Sequence, residues 1–469
     1  MIFTEPAFLF LLLPLALLVN VVGGHRFRNL FLLGLSLLFY FMGERGFVLL
    51  MIMSCGMNYG LGRWVDHQRG LPMGRRVLAL SVALNLGLLG VFKYASFLVE
   101  SINPVLAPLG WALPPLDIHL PIGISFFTFQ ALSYLVDVYR GTIPVERKWS
   151  DLALYISLFP QLIAGPIVRY GDLVREIHQR SIRLGPFTAG VERFILGLAK
   201  KTIIANTLAV TADGIFALAP EQLSTPLAWI GLLAYAFQIY YDFSGYSDMA
   251  IGIGMMLGFR FPENFNYPYI SRSMSEFWRR WHISLSTWFR DYLYIPLGGN
   301  RKGGSRTAFN LLLVFFLCGL WHGASWNFVI WGLFHGAFLM LERVGAFHRF
   351  LSRYASLGLV YTWVVVLFSW VFFRCETLAA SRSFFQALLL PGKGSSIQPG
   401  LYLDALSLAV FCAAFIFATP VYPLLRSKLQ GSRAPVLQGI YVVGLLAVFL
   451  LSLSQIAANT YNPFIYFRF

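Results

Sequence analysis

His322 stands in the run CGLWHGASWN at 318–327, inside an apolar stretch from Leu311 to Leu341. An ionisable side chain in such surroundings is costly to hold in lipid, so it is read first for function. An imidazole titrates near neutral pH and suits a general base that takes a proton from an acceptor hydroxyl. Two other readings stand beside it: a structural ring bonded to a backbone carbonyl, and a metal ligand. The metal reading has little behind it. His335 follows thirteen residues on, about 220° around a continuous helix, and no HxxxH or HxxE spacing is present. Gly319, Gly323, Ala324 and Ser325 leave room beside the ring for a substrate or for another backbone.

His282 is the second candidate, in SEFWRRWHISLSTWFRDY at 275–292. With Ser275 as N-cap and Glu276 in the first turn, this run predicts one amphipathic helix along the membrane interface. Trp278, Trp281, Leu285, Trp288 and Tyr292 share one face, and Arg279, His282, Ser286 and Arg290 line another. Taken alone, His282 reads as a satisfied interfacial residue. It matters for chemistry only if this helix folds beneath His322. The cations Arg272, Arg279, Arg280, Arg290, Arg301 and Lys302 offer clamps for phosphate groups, with a turn at Gly298, Gly299 and Asn300 nearby. No Walker A or GxGxxG pattern accompanies them.

Polar residues also gather in two apolar spans. One carries Gln238, Tyr241, Asp242, Ser244, Tyr246 and Asp248, and the other carries Ser125, Thr128, Gln130, Ser133, Tyr134 and Asp137. They line a hydrated tunnel or hydrogen-bond neighbouring helices, and the residues alone leave both open. Ser325 joins Gln238, Tyr241, Asp242 and Ser244 as a tunnel-lining candidate. Gly252, Gly254 and Gly258 read as close helix packing.

The elements that must hold these groups are membrane helices. Of 469 residues, 57% are hydrophobic and 12% charged, too few charges to cover an ordinary water-exposed surface. Apolar stretches of roughly 17–25 residues recur along the chain, each long enough to cross a bilayer. Spans are expected near 7–22, 29–43, 46–62, 77–98, 121–138, 151–167, 186–210, 225–257, 308–322, 325–344, 355–373, 401–419 and 437–456. That pattern predicts about eleven crossings plus re-entrant and interfacial pieces, in a single membrane-embedded domain over 1–469. The first stretch lacks a basic flank before it and reads as a retained helix. His25, Arg26 and Arg28 follow it, which places the N-terminus outside, on the periplasmic side, and the Arg26 end in the cytoplasm.

The net charge of +15 sits in short loops, as topology requires, and gives no case for nucleic acid. The least membrane-like region, 259–306, holds eight basic residues against three acidic ones and is expected on the cytoplasmic side of the helices at 308–345. Pro391–Gln398 reads as a flexible connector. Cys55, Cys318, Cys375 and Cys412 are scattered and imply neither disulfides nor zinc.

Longer blocks carry a family resemblance. They are PIGISFFTFQALSYLVDVYRG at 121–141, FPQLIAGPIVRY at 159–170, YYDFSGYSDMAIGIGMMLGFRFPENFNYPY at 240–269, EFWRRWHISLSTWFRDYLYIPLGGNR at 276–301, LWHGASWNFVIWGLFHG at 320–336 and PFIYFRF at 463–469. Together they resemble the membrane-bound O-acyltransferases, in the branch that acetylates exported bacterial polysaccharides. The resemblance implies an all-α fold of tilted helices ringed around a central tunnel. It implies His322 as the catalytic residue, with His282 grouped in the active site. It also implies acetyl-CoA as cytoplasmic donor, the bacterial inner membrane as location, and a periplasmic acetyltransferase or acetyl-carrier protein as partner. The chain after 345 is shorter than the resemblance to alginate enzymes leads one to expect, with only a brief connector near 391–400, so cellulose fits as polymer equally well. D-alanyl transfer to teichoic acid is the nearest alternative chemistry. A transporter or export channel is the alternative from another class, without the internal symmetry transporters often show.

Overall fold

A computed structural model describes residues 2–390, 397–430 and 435–458, with the side chains of His25, Arg26 and Gln430 left aside. The connector expected at 391–398 falls largely outside these residues, as does the block at 463–469. Among the described residues every regular element is a helix. The chain divides into two compact units, 1–193 with 250–262 and 194–249 with 263–469.

In the first unit, Ile124–Arg140 is the central element, with an unbroken buried run from Ile124 to Leu135. Phe47–His67 and Pro72–Leu89 pack on it. Asn58 and Asn85 join those two helices by a reciprocal amide pair at 3.0 and 2.8 Å, which satisfies two polar groups in an apolar setting. The span expected at 151–167 stops at Ser157. Pro160, Gly165 and Pro166 follow closely and prevent a continuous helix. Close helix packing is seen at Gly252, whereas Gly254 faces the Phe261 ring and Gly258 lies past the helix end at φ 86° against the Arg180 side chain. A Cβ on Gly190 would lie 2.7 Å from the carbonyl oxygen of Gly252, so two backbones meet there.

The second unit holds the hairpin of Gly304–His322 and Trp326–Leu341, with Ala355–Arg374 packed on its second arm. The arms touch at glycine. A Cβ on Gly319 would sit 2.2 Å from the carbonyl oxygen of Phe328, and one on Gly332 would sit 2.1 Å from that of Phe315. The space beside Gly319 therefore belongs to a backbone and not to a substrate.

Among the described residues, five helices are individually long and apolar enough to span a bilayer: Pro72–Leu109, Leu184–Phe216, Gly304–His322, Ala355–Arg374 and Pro435–Ala458. Two bent pairs raise this to seven, at 85° after Leu341 and 78° after Phe417. The expected count of about eleven is not reached by that measure. Ile124–Arg140 has only 17 residues, and Thr225–Leu257 carries Asp242 and Asp248 in its interior.

Candidate functional site

The 275–292 run does not form one helix. Met274–Arg280 and Ile283–Phe289 are separate, and a π-turn follows at Arg290–Tyr294. The break is His282 itself, at φ 44° and ψ 53° in the left-handed region. A histidine there is strained, and strain of this kind concentrates where side-chain aim matters. The first helix is capped by Ser273, whose hydroxyl accepts from the Glu276 N–H at 3.0 Å, and not by Ser275. Glu342 completes the cap. Its carboxylate accepts from the N–H groups of Met274 and Ser275 and from the Ser275 hydroxyl.

The left-handed residue turns His282 off the polar face and into the protein, where it is fully buried. Trp278, Trp281, Leu285 and Trp288 are buried too, so the expected membrane-facing stripe packs inside the unit. Burial pushes the His282 imidazole down to about 3, so the ring is neutral at physiological pH.

His322 ends its helix at the Gly323–Ser325 turn, beside a break and not deep within a span. Its ring lies 6.3 Å from that of His282. Trp321, Trp331 and Phe373 surround it with centroids at 5.0, 4.9 and 5.3 Å. A small cavity of about 10 Å³ opens here, walled by Ile239, Phe243, Trp281, His322, Trp331, Trp370 and Phe373. That is room for one water molecule, so an acyl thioester enters only when aromatic walls move. His335 is also buried, 4.8 Å from Trp331, with Trp278 Nε1–H donating to its Nδ1 at 3.4 Å.

The two candidate histidines are thus brought together, and the other candidates are placed elsewhere. None of Gln238, Tyr241, Asp242, Ser244 or Ser325 walls this cavity. Tyr241 donates to the Ala414 carbonyl at 2.7 Å, and Asp242 pairs with Lys201 at 2.7 Å. Gln238 and Ser244 are buried, and Ser325 precedes the second hairpin arm. Among the cations, Arg280 bonds Glu276 at 2.9 Å and the Asn266 carbonyl at 3.0 Å, while Arg290 makes a two-point contact with Asp291. Arg272, Arg279, Arg301 and Lys302 are exposed.

Asn264 was not singled out in the sequence. It is buried, and its Oδ1 faces His282 Nδ1 at 3.1 Å. The only trace in the chain is a polar amide between Glu263 and Phe265, which resembles any loop asparagine.

In the first unit, Glu146, Asp151 and His178 each place one possible ligand atom within 4.8 Å of the others. Tyr170 donates to Glu146, Asn29 donates to Asp151 at 3.2 Å, and His178 Nε2 lies 3.0 Å from Glu146. The cluster is bonded internally and ties helix Tyr170–His178 to the segment before Trp149–Ser157.

A multi-pass helical membrane protein with a buried pair of imidazoles beside a closed aromatic cavity is the class these features define. Residues 148–385 match the membrane-bound O-acyltransferase family, MBOAT. The probable alginate O-acetylase AlgI of Pseudomonas putida is 42% identical over the full length of both chains. The peptidoglycan O-acetyltransferase of Helicobacter pylori is 35% identical over 81% of this chain and 78% of its own. The teichoic acid D-alanyltransferase of Bacillus subtilis is 28% identical over 51% of this chain and 65% of its own. The protein belongs to the membrane-bound O-acyltransferase family and is an O-acyltransferase.

Proposed function

We propose that this protein takes acetyl from cytoplasmic acetyl-CoA and passes it across the bacterial inner membrane for O-acetylation of an exported polysaccharide. A periplasmic acetyltransferase or acetyl-carrier protein receives the group, and the N-terminus lies on the periplasmic side. The observation that carries the reading is the His282–His322 pair, 6.3 Å apart in an enclosed aromatic site. The full-length likeness to an alginate O-acetylase favours acetyl as the group and alginate as the polymer, with cellulose compatible with the same core.

In this mechanism His322 takes the proton from an acceptor hydroxyl as its oxygen attacks the thioester carbonyl. The tetrahedral intermediate collapses, the C–S bond breaks, and the coenzyme thiolate leaves with the proton returned by the imidazolium. The oxygen ester stays on the acceptor. The enclosed, largely aromatic walls of the cavity strengthen any dipole aimed at the developing oxyanion. Donor phosphates meet the exposed cations Arg272, Arg279, Arg301 and Lys302. Arg280 and Arg290 contribute only if Glu276 and Asp291 release them.

The experiment is release of coenzyme A from labelled acetyl-CoA by purified protein with an acceptor, comparing wild type with His322→Ala. Turnover lost in a variant that still folds and binds donor supports the reading. Equal turnover in both removes it. A second reading, D-alanyl transfer from a carrier-protein thioester, rests on the teichoic acid relative. Offering both donors separates the two. A transporter would instead move acyl groups or polymer with His322 replaced.

A further inference from the structure

The environment of His282 is more specific than a buried ring requires. Asn264 lies in the non-helical segment after Gly258, and its backbone carbonyl accepts from the Ile283 N–H at 2.9 Å. Its side-chain oxygen accepts from the Ser284 N–H at 3.3 Å and from the Ser284 hydroxyl at 2.9 Å. Its amide nitrogen donates to the Ser247 hydroxyl at 3.0 Å. A backbone N–H can only donate, so the atom of Asn264 facing Ser284 must be the oxygen. His282 Nδ1 lies 3.1 Å from that same oxygen. An oxygen without a proton accepts only from a protonated nitrogen. Nδ1 therefore carries the hydrogen, and Nε2 across the ring keeps its lone pair.

Nε2 of His282 is buried and has no hydrogen-bond partner among the described residues. A buried imidazole whose acceptor nitrogen is left open costs free energy that a merely structural ring would avoid. The ring's neighbours are Phe243 at 4.7 Å, Trp321 at 5.9 Å and His322 at 6.3 Å. His322 is the titratable group facing it from the hairpin. Phe243 represents Thr225–Leu257, the helix that also supplies Ser247.

We propose that Asn264 is a positioning residue for acyl transfer: it locks His282 in the Nδ1–H tautomer, so that its Nε2 stays a hydrogen-bond acceptor in the site where His322 takes the substrate proton. The proposal rests on the acyl-transfer reading and deepens it. An amide in this place sets the tautomer without the charge a carboxylate would add, which keeps the ring neutral. Ser284 and Ser247 hold the amide so that it cannot flip.

The test uses the full chain in membranes, labelled with ¹⁵N-histidine, with His282 assigned by its loss in His282→Gln. The expected result is an Nδ1–H tautomer for His282 in wild type and its loss in Asn264→Leu. In turnover, Asn264→Leu is expected to lower kcat about 10- to 100-fold, the usual effect of losing a residue that orients a functional imidazole, with donor KM little changed. Asn264→Asp keeps the acceptor oxygen, so it keeps the tautomer. Its carboxylate stabilises the imidazolium and moves the acidic limb of the pH profile to higher pH. An Nε2–H tautomer in wild type overturns the proposal, as does a folded Asn264→Leu variant with wild-type kcat. If Asn264→Leu does not fold, an unshifted pH profile in Asn264→Asp overturns it. The tautomer is read without turnover, so a wild type that transfers no acyl group counts against the acyl-transfer reading alone.

Discussion

Lys201 Nζ lies 2.7 Å from Asp242 Oδ1, with both side chains almost fully buried. One residue earlier, Lys200 pairs with Asp248 at 2.7 Å. Between the pairs the two helices touch at glycine, where a Cβ on Gly197 would lie 2.6 Å from the Gly245 carbonyl oxygen. The π-helical stretch Lys200–Ala205 sits at this crossing, and such bulges frequently mark functional places. The same aspartate-bearing helix supplies Ile239 and Phe243 to the cavity and Ser247 to Asn264. The ion pairs thus fix the rotation of the helix that walls the site.

Removing one partner of the inner pair leaves a buried charge with its principal counter-ion gone. Lys201→Met is expected to lower stability by about 3–5 kcal/mol, and the double variant with Asp242→Asn by clearly less. Thermal unfolding in detergent across the double-mutant cycle measures this. A double-variant loss equal to the sum of the two single losses would show that the pair is not coupled.

Glu342 anchors the helix before His282 from a distance of 67 residues in sequence. Glu342→Ala leaves the Met274 and Ser275 N–H groups without their acceptor, at an expected cost of about 1–3 kcal/mol. Glu342→Gln keeps one acceptor oxygen and is expected to lose less. Because the helix leads directly into His282, turnover should fall in parallel with stability. Full turnover in a destabilised Glu342→Ala protein would separate this cap from the site.

Glu276 ties the same helix to pH. Burial raises its carboxyl, but the Arg272 N–H and the Arg280 guanidinium outweigh that and hold it below its ordinary 4.5. A depressed folded value means that the stabilisation is present above the unfolded value and is lost as pH falls through the folded one. Unfolding followed from pH 6 downward should therefore show a loss below about 4.5 that Glu276→Gln lacks. Superimposable curves for the two proteins would refute the linkage.

Much of this arrangement is legible in the chain, and what is not has identifiable causes. His322 stands out because an ionisable group interrupts an apolar run. The two hairpin arms are legible as the separate spans near 308–322 and 325–344, whereas Gly323, Ala324 and Ser325 read only as space beside the ring and form the turn between them. The break at His282 is invisible, since the 3.6-residue period of Trp278, Trp281, Leu285 and Trp288 runs straight through it. Bonds to Asn264, eighteen residues away, stabilise the left-handed turn against that local preference. Asp242 and Tyr241 show the opposite case. Their polarity marks them as unusual, yet only the facing Lys201 and the Ala414 carbonyl show that they bind neighbouring helices instead of walling the cavity.

The size of the cavity bears on which acyl group is carried. At about 10 Å³, with His322 and Phe373 rings 5.3 Å apart, the site admits an acyl group only as its aromatic walls part, and Phe373 is one of those walls. Phe373 is buried against Trp331 at 5.1 Å and Phe328 at 5.0 Å, so truncating it opens space beside His322 while both candidate histidines are retained. Phe373→Ala is expected to cost about 3–5 kcal/mol of stability through the void it leaves. In exchange, the ratio of kcat/KM for propionyl over acetyl thioester should rise by about 10-fold or more, the discrimination that a well-fitted wall exerts on one methylene. Competition between the two thioesters in one reaction measures the ratio directly and is insensitive to the fraction of folded enzyme. An unchanged ratio in Phe373→Ala would place the acyl group away from this wall, and with it the reacting carbonyl.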